Sequence, residues 1–263
     1  MNILLKQNRG IGDLMFGYAF YQALISKFAE ANIYWDVPED YASLLEYFKL
    51  KRVSDNEDNS TMCHSHVAEG VRSLNENPVS TGMYVVLDPQ VKPEEDIGDY
   101  DLIIDLNKNI RTRNFTLHEV ERYFLAHKNL NLDISKAIYP QRKSKPDKNK
   151  LILSLGARIP TRRWTVKNYI ALLNSLKQYN IVLLGGNDVL DDAKEICLAC
   201  NKVINKTGTL NLAQTCEEIA TASYVIAMDS GVAHLCATIG IPVLVLTFNK
   251  VQNNFRWLSL IHI

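Results

Sequence analysis

Three short segments place residue types that handle phosphate and protons where apolar runs give way to helix-forming ones. The first is Asn8-Arg9-Gly10-Ile11-Gly12-Asp13. Its glycines permit a tight turn and a close approach of backbone to a ligand. Asp13 there serves either as the N-cap of the following helix or as a carboxylate that takes a proton from a bound hydroxyl. A dinucleotide fingerprint would need a third glycine where Met15 stands, which disfavours NAD or FAD. The second segment, Gly156-Ala157-Arg158-Ile159-Pro160-Thr161-Arg162-Arg163-Trp164, sets three arginines ahead of a helix start. Guanidinium forks beside the positive end of a helix suit a diphosphate, and solvated surface charge with Trp164 as a packing anchor is the competing reading. The third is Met228-Asp229-Ser230-Gly231-Val232-Ala233-His234. Asp229 suits an N-cap, while Ser230 and Gly231 present backbone N–H groups to an anion. His234 follows one turn later, either reaching the same ligand or simply packed.

Other patterns carry less. Gly185-Gly186-Asn187-Asp188 ends an apolar run and either admits a nucleoside or only turns the chain. Cys197 and Cys200 lack a second pair at zinc spacing, and Cys63-His64-Ser65-His66 supplies half a metal shell. Asp99-Tyr100-Asp101 introduces an apolar run and reads as strand-flanking charge. No metal site is expected.

The elements that must position these residues follow from periodicity. Short runs rich in Val, Ile and Leu at 151–155, 181–184, 202–205, 224–228 and 242–247 alternate with helix-period segments near 166–179, 190–199, 211–222 and 232–239. That alternation predicts a doubly wound parallel sheet, with ligands at the carboxyl ends of its strands. The first half predicts a strand at 2–7, a helix over 14–29, strands at 33–37 and 102–106, and a polar stretch at 52–82. The polar, proline-containing residues 141–150 read as a linker. The expected organisation is therefore an α/β domain over 1–140 and a Rossmann-like domain over 151–257.

The 263 residues suffice for two such cores, and 47% hydrophobic with 22% charged residues excludes a largely disordered chain. Twenty-nine basic residues balance twenty-nine acidic ones, so no global field recruits nucleic acid or an anionic membrane. No apolar run is long enough for a signal peptide or a membrane span, and an odd count of five cysteines agrees with reduced thiols, so a cytoplasmic protein is expected. Residues 258–263 match what a transposon-end adapter encodes and are expected to be a non-native tail, the natural chain continuing past Trp257.

In this order and spacing, the segments resemble the bacterial family 9 glycosyltransferases, whose best-known members add heptose from ADP-heptose to the lipopolysaccharide inner core. The resemblance rests on Arg9-Gly10-Ile11-Gly12-Asp13, on Tyr100–Leu106, on Gly156-Ala157 with Arg162-Arg163-Trp164, and above all on Asp229–Ala237 followed by Gly240-Ile241-Pro242. It implies a GT-B architecture, two Rossmann-like doubly wound domains facing across a cleft, and inverting transfer without an obligatory metal or cofactor. It implies Asp13 as general base with Gly12 beside the acceptor. On the donor side it implies Gly156, Arg162, Arg163, Gly186, Asp188, Asp229, Ser230, Gly231 and His234. Arg162 stands where the family has a phosphate-binding lysine, and Val189 where it has a ribose-binding glutamate, with Asp188 the nearby substitute. Acceptor phosphates would meet Lys108, Arg111 and Arg113, although surface solubility explains three basic residues as readily. The expected partners are a sugar nucleotide and a lipid-linked or glycan acceptor, with at most peripheral contact at the inner face of the membrane. A sugar-nucleotide epimerase of the same architecture and a noncatalytic sugar-nucleotide-binding protein are the rival readings.

Overall fold

The computed structural model describes residues 1–53, 100–107, 117–139, 145–158 and 160–247, with the side chain of residue 161 left aside. The chain divides into two compact units, Met1–Asn8 with Phe28–Asn107 and Arg9–Lys27 with Lys108–Ile263. The chain therefore leaves the first unit straight after β1 (Asn2–Lys6), contributes α1 (Ile11–Lys27) to the second, and returns.

In the first unit, β1 is joined by β2 (Asn32–Asp36), α2 (Ala42–Phe48), β3 (Lys51–Arg52) and β4 (Leu102–Asp105). The order is β3-β2-β1-β4, parallel throughout. Ile3, Leu4 and Leu5 are buried in succession, as are Ile33, Tyr34 and Trp35. Such continuous apolar runs suit parallel strands better than alternating ones do. The Asp101 carboxylate accepts the Asn2 N–H at 2.6 Å, so it flanks and ties the strands as its position suggested.

The second unit holds α1, α3 (Glu119–Ala126), β5 (Asp147–Ser154), α4 (Val166–Ser175), β6 (Asn180–Leu184), α5 (Leu190–Ala199), β7 (Val203–Asn205), α6 (Leu212–Thr221), β8 (Ala222–Met228), α7 (Gly231–Ile239) and β9 (Val243–Leu246). Its sheet runs β7-β6-β5-β8-β9, all parallel, as the alternation predicted. Leu151, Leu153, Leu183, Val189, Ile226 and Met228 form its core with Tyr169 of α4 and Ile196 of α5. Local chemistry sets the helix ends. Thr165 caps α4 through the Asn168 N–H, and Asn211 and Gln214 exchange side-chain-to-backbone bonds at the start of α6. At the end of α7, Gly240 takes the left-handed conformation (φ 79°) while its N–H and that of Ile241 close onto Ala237 and Cys236.

Some boundaries differ from expectation. Helix α1 begins at Ile11 rather than near residue 14, and α4 ends at Ser175. Strand β5 begins at Asp147, across an irregularity in its pairing with β8, so the last residues of the polar 141–150 stretch are strand. Helices α2 and α3 and strand β3 were not foreseen. Asp99, Cys63–His66, most of the polar stretch at 52–82 and the 258–263 tail lie outside the described residues. Among the described residues, no helix is long and apolar enough to cross a membrane.

Candidate active site

A doubly wound sheet opens a crevice where its strand order reverses. In the second unit that point lies between β5 and β8. Residues 155–163 leave β5 there and residues 229–230 leave β8, with Ser154 and Ala227 in register just before them.

On the β8 side, the Asp229 N–H donates to Leu246 at 3.1 Å, which anchors the loop to β9. The N-cap of α7 is Ser230, not Asp229: it has extended backbone, and its side chain makes no capping bond. The Ser230 hydroxyl is buried and finds no hydrogen-bond partner among the described residues. The first turn of α7 thus keeps N–H groups directed out of its end.

On the β5 side the two adjacent arginines separate in role. Arg162 is half exposed, with Nη1 3.6 Å from Asp229 Oδ2, so its guanidinium and that carboxylate meet across the switch point. Arg163 turns the other way. Its Nε donates to the Ala157 carbonyl at 3.0 Å, Nη1 to the Asp188 carbonyl at 3.1 Å, and Nη2 to the Asp188 carboxylate. Arg163 and Asp188 therefore lace the loop after β5 to the loop after β6. The glycines also differ. Among the described residues, a Cβ on Gly156 would meet nothing within 4 Å, whereas one on Gly185 would lie 2.4 Å from Val189 Cγ2 and one on Gly186 2.8 Å from Asp188 Oδ1. Among the described residues, open space stands at Gly156 and packed side chains stand at the glycine pair.

The first turn of α1 meets the first turn of α7. A Cβ on Gly231 would lie 2.9 Å from the Ile11 Cβ, and one on Gly12 would lie 2.7 Å from His234 Cδ2. Gly12 and His234 are thus in direct contact. Asp13 is the third residue of α1 rather than its N-cap, and its carboxylate reaches back to accept the Gly10 N–H. Arg9 Nη1 stands 4.0 Å from Asp13 Oδ1, and the Arg158 guanidinium reaches the neighbourhood of Gly10. Helix α3 completes the surroundings. Tyr123 donates to the Asp13 carbonyl at 3.5 Å, and Glu119 pairs with Arg122 Nε at 3.4 Å, both side chains being buried. Burial raises the Asp13 pKa; Arg9 opposes that, Glu119 adds to it, and the Gly10 N–H opposes it, with a net upward shift. A carboxylate with raised proton affinity is a stronger base toward a hydroxyl.

Sequence reasoning missed Arg9 and Glu119 as charged neighbours of Asp13, and Arg158 beside Gly10. Arg9 and Arg158 carried a signal, as arginines within the segments 8–13 and 156–164; α3 is far away in sequence and its buried charges break the apolar pattern. Lys108, Arg111 and Arg113 lie outside the described residues. Cys197 and Cys200 are free thiols.

The model of glycosyltransferase family 9 (heptosyltransferase) matches residues 103–250, more than half of the chain. A search of curated protein sequences gives no match. Among solved structures, the family 9 glycosyl transferase of Veillonella parvula DSM 2008 is similar at a TM-score of 0.69 and 16% identity, over 98% of this chain and 84% of that one. E. coli ADP-heptose lipopolysaccharide heptosyltransferase II gives 0.67 and 16%, over 98% and 88%. E. coli heptosyltransferase WaaC with ADP-2-deoxy-2-fluoro heptose gives 0.64 and 14%, over 95% and 91%. At these identities the likeness is one of fold, and it matches the two parallel α/β sheets to the GT-B class.

Proposed function

We propose that this chain, which belongs to glycosyltransferase family 9, the heptosyltransferase family, moves heptose from ADP-heptose to a hydroxyl of a lipopolysaccharide core or related glycan. Asp13 takes the acceptor proton as the acceptor oxygen bonds to the anomeric carbon from the face opposite the leaving group. The anomeric bond to the diphosphate breaks, ADP leaves with the electron pair, and configuration inverts. Negative charge growing on the diphosphate is met by Arg162 and by the N–H groups of Ser230 and Gly231. Arg163 and Asp188 hold the loops rather than the phosphates. Gly156, with open space over its Cα, admits the donor.

The observation that supports this reading is the meeting of the two helix starts. Asp13 lies one residue beyond Gly12, which touches His234, while Gly231 touches Ile11. A base with raised proton affinity therefore neighbours an anion-binding helix end, as a displacement with a diphosphate leaving group requires. The test is incubation of the protein with ADP-heptose and a heptose-free lipopolysaccharide core, read by mass spectrometry, beside calorimetric titration with ADP. Arg162→Ala should weaken ADP binding by about 1.5 kcal/mol, the lower end for a hydrogen bond to a charged group, because the wild-type guanidinium must first give up Asp229. Heptose gain without dependence on Arg162 removes that residue from the donor site, and absence of both ADP binding and heptose gain refutes the reading.

A further inference from the structure

We infer that His234 is a positioning residue for the base: seated on the bare Cα of Gly12 and against the ring of Phe16, its imidazole fixes the first turn of α1, and with it Asp13, against the first turn of α7. The inference rests on the proposed role of Asp13 as base.

Helical spacing makes the joint a two-point contact. Gly12 and Phe16 stand four residues apart on one face of α1, and Gly231 and His234 stand three apart on one face of α7. Gly231 abuts Ile11 while His234 abuts Gly12 and Phe16, so the two helix starts are matched over a full turn. The fit leaves no slack. A methyl group on residue 12 would come within 2.7 Å of His234 Cδ2 and 3.1 Å of Nε2. The imidazole edge carrying these two atoms therefore rests on the helix that holds the base. Phe16, 1% exposed, is the other half of the seat. Its ring meets His234 edge to face at 4.9 Å and 71°, and meets His118, the N-cap of α3, at 5.2 Å and 88°. Two histidine rings thus meet the Phe16 ring of α1, and Asp13 stands between Gly12 and Phe16 in the same helix. A shift of the base by about an ångström is enough to cost roughly a hundredfold in rate, since reacting atoms must be held near contact distance.

Three variants test this: His234→Ala, Gly12→Ala and the double variant, assayed for heptose transfer from ADP-heptose to heptose-free lipopolysaccharide core and for ADP affinity, with folding checked by melting. His234→Ala, the milder change, should lower kcat about 10- to 100-fold while ADP affinity and donor KM stay within about threefold. Gly12→Ala should show the same split. The double variant should be no worse than the poorer single one, because both break one contact and the new methyl occupies space the ring vacated. A tenfold loss of ADP affinity in His234→Ala with kcat retained would make His234 a donor ligand and overturn the inference, as would losses that multiply in the double variant. Both outcomes leave the functional reading standing, whereas a wild-type protein that neither binds ADP nor transfers heptose overturns the two together.

Discussion

Replacing Asp13 by asparagine should slow heptose transfer while making the protein more stable at neutral pH. Asparagine keeps the shape and an oxygen for the Gly10 N–H, so the local cap bond survives. It loses the attraction of Arg9, which at 4.0 Å and partial exposure is worth about 0.2–1 kcal/mol. It also loses a half-buried negative charge beside Glu119. The net upward shift of the Asp13 pKa fixes the balance: burial, with Glu119, outweighs Arg9 and Gly10. A folded-state pKa above the unfolded value of 3.8 means that the folded chain holds the proton more tightly. The resulting stabilisation is full below 3.8 and is lost as pH rises through the folded value. At pH 7 the ionised carboxylate is a net cost that asparagine removes, so Tm should rise at pH 7 and the difference should close toward pH 3. Transfer should fall about 10²–10⁴-fold, or about 2.7–5.4 kcal/mol of barrier, the contribution of a general base. ADP affinity should hold within about threefold. Melting curves from pH 3 to 8, initial rates and ADP calorimetry on the same preparation check all three. An asparagine variant that transfers heptose at the wild-type rate and melts lower at pH 7 would make Asp13 a cap and nothing more.

Glu218 links Lys150 and Lys206 at 2.7 and 2.8 Å. Burial alone would raise its pKa, but the two lysine hydrogen bonds hold it below the usual carboxylate range. Glu218→Gln should therefore cost about 1 kcal/mol at pH 7, and that loss should vanish as pH falls through the depressed folded value, a trend that melting curves follow. Arg163→Lys should lower stability by about 1–2 kcal/mol in urea unfolding, because one ammonium cannot serve the Ala157 carbonyl, the Asp188 carbonyl and the Asp188 carboxylate together. Gly156→Ala should leave stability within about 0.5 kcal/mol yet weaken ADP binding, while Gly185→Ala should cost about 1–3 kcal/mol of stability through its clash with Val189. Equal behaviour of the two alanines in melting and calorimetry would contradict that distinction.

The second sheet was legible because each of its strands contains a short apolar run, although β5 extends it backward into the polar residues 147–150. The Asp229–Gly231 turn and the Arg162 loop were legible because they sit at strand ends. Helix α3 was not, since Glu119 and Arg122 are buried as a pair and the apolar periodicity breaks at the residues that face inward. The start of α1 was read late because Gly10 and Gly12 are poor helix formers, and their use becomes plain only when His234 and Ile11 are seen against the bare backbone. Arg162 and Arg163 are one residue type side by side. Only the three acceptors around Arg163 distinguish the brace from the guanidinium left toward the crevice.

Helix α1 belongs to a unit whose remaining residues start at Lys108, and that arrangement has a temporal side. During synthesis Gly12 emerges roughly two hundred residues ahead of His234, an interval of about 10–40 s at 5–20 residues per second. Throughout it, Phe16 lacks the ring of His234 that it meets in the finished fold, and for about the first half Phe20 lacks those of Tyr123 and His127. The turn bearing Asp13 is made well before the last of its neighbours. Closing so distant a contact carries a large loop entropy, so its formation should come late in folding. Nascent chains stalled before residue 234 would then leave this turn open to proteases, and release past that point would shut it.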